Sequence, residues 1–145
     1  GFRDVTFRSL NGTTYYTPFD KEDPELNRRT VYRFSPRGQR SAILDAFDCP
    51  DPSTTAPKRS VTTTPIQALA LFNNAFVLRM ADGFAERLKK ESKSLNEQVQ
   101  RAYELAYARD PDEEEVNLGL EISQNHGLNA LCRVLFNSNE FVVIE

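Results

Sequence analysis

The segment Thr64-Pro65-Ile66-Gln67 commits the second half of this chain to helix. The Thr64 hydroxyl is placed to accept a hydrogen bond from an orphan amide of the first turn. Pro65 follows at the position where a missing N–H costs nothing and a fixed φ is already helical. Gln67, three residues after Thr64, completes a capping box. Behind this start, Ile66, Leu69, Phe76, Met80, Phe84 and Leu88 recur at spacings that form one apolar stripe. The pattern predicts one helix over 64–90. Asn73 and Asn74 interrupt it, and two such middling helix formers in succession need a structural reason. The reason expected is side-chain amides that bind the backbone of an overlying loop, residues 40–60.

The same signals repeat downstream. Ser94-Leu95-Asn96-Glu97 is a second capping box, and Leu95, Val99, Ala102, Tyr103 and Ala106 line a helix over 94–109. Asp110-Pro111-Asp112-Glu113 starts a third over 111–124, with Asp110 as cap, acidic residues where the macrodipole favours them, and Val116, Leu118 and Leu120 inward. Asn125-His126-Gly127 breaks the pattern. Leu128, Leu131, Cys132 and Leu135 define a fourth helix over 128–137, followed by a one-turn cap at Ser138-Asn139-Glu140-Phe141. The expected fold is mainly α: a bundle of about four helices joined by short loops.

The first third reads differently. Six of the eight prolines fall in residues 1–60, and helical periodicity is weak there. Residues 2–7 and 13–16, with Asn11-Gly12 between them, suggest a short hairpin. Thr30–Phe34 reads as extended, and 39–47 as a short helix stopped by Pro50 and Pro52. Residues 1–60 are therefore expected as an irregular, proline-rich wrap over a helical core spanning 61–145, the whole forming a single domain. The chain begins at Gly1 without a Met, which reads as a piece excised from a larger protein.

Charge narrows the function classes. A net charge of −3 argues against general nucleic-acid binding, which needs a basic footprint. No apolar run reaches the roughly 20 residues that span a bilayer, so no membrane insertion by this chain is expected. His126 sits in a polar turn with no second ligand at metal spacing, and neither a phosphate loop nor a hydrolase motif occurs. No metal is expected. Cys132 lies in an apolar helical pattern and reads as a buried thiol, and Cys49 lies in a Pro/Asp-rich loop. The polar residues with the best claim to a ligand or interface are Arg28, Arg29, Asp45, Asp48, Asp51, Arg59 and Gln67. Each also has a structural reading: arginines paired at a surface, aspartates shaping turns, Gln67 capping a helix.

Several segments read together resemble one family. They are Asn27–Tyr32, Leu44–Asp51, Lys58–Leu69 and Leu135–Phe141. From about Asn27 to the end the chain is similar to the planctomycete-specific C-terminal domain known as domain of unknown function 1553. Cys49 departs from the family pattern, as does the basic segment Ser35–Arg40. The resemblance implies a module at the end of larger exported proteins that often carry a c-type cytochrome domain. It therefore implies an extracytoplasmic location, an upstream domain as partner, and no cofactor in this chain, since without CxxCH any haem belongs elsewhere in the parent. It brings no catalytic residues. The function expected is a non-catalytic interaction or packing module. The rivals are one wall of an enzyme or ligand site at the junction with the preceding domain, and a carbohydrate-binding module using Tyr15, Tyr16 and Tyr32.

Overall fold

The computed structural model of the chain describes residues 5–10, 13–18, 29–32, 42–47, 55, 57 and 64–142. The chain divides into two compact units, Gly1–Gln67 and Ala68–Glu145.

In the first unit, β1 (Val5–Leu10) pairs antiparallel with β2 (Thr13–Pro18). The register places Leu10 opposite Thr13, so two residues close the hairpin. These are Asn11 and Gly12, the turn read from the sequence, and they lie outside the described residues. Pro18 sits at the end of β2, where its missing N–H removes no interior ladder bond. Thr30–Tyr32 is one turn of 3₁₀ helix, not the extended piece expected. The Tyr32 amide donates to the Arg29 carbonyl at 3.0 Å, so local hydrogen bonding outweighs the β preference of Thr-Val-Tyr, and among the described residues no strand pairs with it. The short helix α1 (Ala42–Ala46) falls where it was expected.

The second unit is the helical bundle. It contains α3 (Ala75–Glu91), α4 (Leu95–Tyr107), α5 (Glu113–His126), α6 (Leu128–Phe136) and a one-turn α7 (Asn139–Val142). A shorter helix, α2 (Pro65–Asn73), leads into α3. The helix expected over 64–90 is thus two helices. Asn74 is the reason: its backbone is extended and its Oδ1 accepts from the Phe76 amide at 3.0 Å, so it is the N-cap of α3. Its own N–H still closes α2 on the Ala70 carbonyl, which confines the break to one residue. Asn73 is exposed, and most of the overlying loop expected to take these amides, residues 40–60, lies outside the described residues.

The buried residues of α3 are Val77, Ala81, Ala85 and Leu88, whereas the expected stripe ran through Phe76 and Met80. Ala81 and Ala85 are small, so α6 can approach α3 closely, and α6 packs most extensively against α3 and α5. Leu128, Leu131, Cys132 and Leu135 of α6 are all buried and meet Val99, Ala102 and Tyr103 of α4. On α5 the inward residues are Gly119 and Ser123, with Leu120 and Ile122 half-buried, while Leu118 is exposed, contrary to expectation. Gly119 lets α5 approach α4. A Cβ there would stand 2.7 Å from a Val99 methyl carbon.

The caps follow the sequence closely. The Ser94–Glu97 box forms as read. The box at α5 is set two residues later than expected, with Asp112 rather than Asp110 as N-cap: Glu115 N–H donates to Asp112 Oδ1 at 2.8 Å, and Asp112 N–H to Glu115 Oε2 at 2.9 Å. Asp112 prevails because Glu115 stands three residues beyond it, whereas Asp110 has Glu113 there without the reciprocal bond. No helix among the described residues is long and apolar enough to cross a membrane.

Candidate interaction surface

Three of the seven candidate residues expected from the sequence, Arg29, Asp45 and Gln67, lie among the described residues. Arg28, Asp48, Asp51 and Arg59 lie outside the described residues, as does Cys49. Arg29 is exposed beside the 3₁₀ turn, and Asp45 is exposed on α1. Gln67 is buried, and its side chain is used locally: Thr64 N–H donates to Gln67 Oε1 at 3.1 Å while Gln67 N–H donates to Thr64 Oγ1 at 3.3 Å. Among the described residues no hydrogen bond or ion pair joins Arg29, Asp45 or Gln67 to another candidate. Tyr32 is exposed, and the side chains of Tyr15 and Tyr16 lie outside the description. Among the described residues no group of three or more His, Cys, Asp or Glu side chains is placed to hold a metal. Cys132 is a free thiol, and its burial pushes it up to about 12, so it stays protonated and unreactive at neutral pH.

One polar cluster stands out, and its role is structural. Arg109, just beyond α4, donates to both oxygens of Glu115 at 2.8 Å and to both oxygens of Glu140 at 2.7 and 2.8 Å. Its guanidinium also lies 5.5 Å from the Tyr107 ring centre. These two bidentate pairs hold the start of α5 and the single turn α7 to the end of α4. Hydrogen bonding to Arg109 lowers the Glu115 and Glu140 carboxyls below the ordinary range. Tyr107 Oη donates to Ser138 Oγ at 2.8 Å, and burial raises its phenol. Every charge here is matched from within.

The unusual surface is α2. Its outward side carries Ile66, Leu69 and Phe72, which remain 67%, 62% and 48% exposed, and Phe76 after the break is 42% exposed. Its inward side carries Gln67, Ala70 and Leu71. A helix normally turns its large apolar residues to the core; α2 turns them to solvent. Arg133 of α6 fixes the end of the row. Its guanidinium carbon lies 4.0 Å from the Phe72 ring centre, and its Nε donates to the Phe72 carbonyl at 3.1 Å, with Nη2 on the same oxygen. A second guanidinium, Arg79, lies 5.5 Å from the Phe76 ring centre.

Sequence reasoning missed this surface because it assigned Ile66 and Leu69 to the core stripe. The available signal was Asn74 itself, a strong N-cap residue that ends α2 and starts α3.

The model of the family described as PSD1, protein of unknown function (DUF1553), matches residues 5–122. The chain belongs to that family. The DUF1553 match takes in the hairpin, α1 and the whole of α2, and ends within α5. Its reach differs from the resemblance read in the sequence, which began near Asn27 and included Leu135–Phe141. No curated protein and no solved structure matches the chain.

Proposed function

We propose that this DUF1553 chain is a non-catalytic interaction module that packs through the outward face of α2 against the upstream domain of a larger exported protein. The carrying observation is the row Ile66, Leu69, Phe72 and Phe76, which leaves large apolar side chains in water along one helix and its continuation. A row of this kind costs hydrophobic free energy unless a partner covers it, and contiguous exposed apolar patches on stable domains mark contact sites. The extracytoplasmic setting and the company of a haem-bearing domain belong to this proposal through the family resemblance.

The test compares the chain alone with the full-length parent by amide hydrogen exchange. The module reading expects slower exchange and lower labelling across residues 65–80 in the parent. Equal exchange in both would remove its support. A catalytic role has its own signature: alanine at Asp48 and Arg59 that leaves folding intact and abolishes an activity of the parent.

A further inference from the structure

The partner's chemistry can be narrowed, on the footing that α2 is a contact face at all. We propose that α2 binds an amphipathic helix with a carboxylate at the end of its apolar stripe, and that this carboxylate pairs with Arg133.

Backbone chemistry selects a helix as partner. The amides and carbonyls of α2 are engaged along its own length. At its C-terminal end the Ala70 carbonyl takes the Asn74 amide and the Phe72 carbonyl takes Arg133. No open edge is left for strand addition. From Ile66 to Phe76 the apolar row runs roughly 15 Å, which suits side chains repeated at i, i+3 or i+4, and i+7 on a second helix.

Area argues against a second copy as occupant. The four exposed side chains offer on the order of 400–500 Å² of surface. That is about half of what one partner contributes to a standard protein–protein interface, and it is enough for a single helix.

Charge sets the sign of the occupant. No Asp or Glu occurs from Thr64 to Ala81, although the chain as a whole is net negative at −3. Arg133 is held flat on Phe72 and donates only from Nε and Nη2, to one carbonyl. Three of the five donors of a guanidinium are therefore unused, and among the described residues no carboxylate meets them. The unused edge contains the paired N–H groups that grip a carboxylate bidentately, and stacking has already fixed its orientation.

The experiment uses the purified chain and two synthetic helical peptides with leucines at the spacing above, one ending its stripe in Glu and its twin in Lys. Binding is read by fluorescence anisotropy. The Glu peptide should bind roughly tenfold tighter than the Lys twin. High salt and Arg133→Gln should each close the gap, Arg133→Lys should restore part of it, and Leu69→Asp should abolish binding of both peptides. Should Arg133→Gln loosen the end of α2, as circular dichroism would reveal, the salt dependence of the unaltered chain still decides. Equal binding of the twins, or binding of neither, overturns the proposal. So does a concentration-dependent dimer in sedimentation that Leu69→Asp dissolves, because the occupant is then a second copy. Those results leave the module reading standing. Unprotected α2 amides in the parent would remove that reading even if the peptides bind.

Discussion

Two helices of this protein have the same length and nearly opposite fates. α2 and α6 each contain nine residues, and both are rich in apolar side chains. α6 buries Leu128, Leu131, Cys132 and Leu135, and packs against α3, α4, α5 and α7. α2 points Ile66, Leu69 and Phe72 outward, and its described tie to the bundle is the Arg133–Phe72 contact. Composition cannot separate these cases. What separates them is which side faces the neighbours: α6 keeps its apolar positions on the side its neighbours occupy, and α2 turns Gln67 and Ala70 inward and its large apolar residues outward. Stability in this protein should therefore reside in α6 and be nearly absent from α2, and the two helices offer matched places to test that.

The largest effect is expected at Leu131, which is fully buried. Leu131→Ala removes side-chain burial and leaves a cavity at the centre of the bundle, and should cost about 2–5 kcal/mol in urea unfolding. Next comes Gly119→Ala. Its Cβ would meet Val99, a fully buried residue, at 2.7 Å, and the expected loss is about 1–3 kcal/mol despite the better helix propensity of alanine. Adding Val99→Ala should recover part of that particular clash, which an independent pair of mutations would not do.

Asn74→Ala probes the joint between α2 and α3. Loss of the cap should cost about 1 kcal/mol. If the cap alone sets the break, the variant should also show more helix by circular dichroism and a shift in the exposure of Phe76.

Acid should act locally, on α7. Glu115 and Glu140 have their carboxyls lowered in the folded protein by hydrogen bonds to Arg109. Their contribution is therefore fully present above the ordinary glutamate value of about 4.3 and is lost as pH falls through the lower folded values. Amide exchange should show α7 losing protection below about pH 4 while α6 remains protected. Simultaneous loss in both helices would mean that α7 and α6 belong to one cooperative unit. The smallest effect is expected from Leu69→Asp, which should change stability by no more than about 0.5 kcal/mol. A large loss there would show that α2 is as much a part of the core as α6.

Much of the bundle was legible in the chain because its signals are local. Ser94–Glu97 and Thr64–Gln67 form boxes that depend only on residues three apart, and Leu128, Leu131, Cys132 and Leu135 lie on one face whatever else the fold does. The hairpin was legible for the same reason, since Asn11-Gly12 between two β-prone runs fixes its own register. The errors arose where a choice was not local. Asp110 and Asp112 are both capable caps, and the reciprocal Glu115 decides between them. Leu118 and Gly119 are adjacent, and only the approach of Val99 shows that the glycine faces inward. Cys132 was correctly placed in the core, but the candidate surface was not found, because its defining contact joins Phe72 to Arg133 across sixty-one positions.

The sequence by itself determined the caps at Thr64 and Ser94, which side α6 buries, and the two strands either side of Asn11-Gly12. These depend on hydrogen bonds and periodicities spanning a few residues. Only the tertiary structure decided that α5 turns Gly119 rather than Leu118 towards Val99, and that the apolar side of α2 faces water. Those outcomes depend on which surfaces meet, and the free energy of a shared surface is not a property of either segment alone.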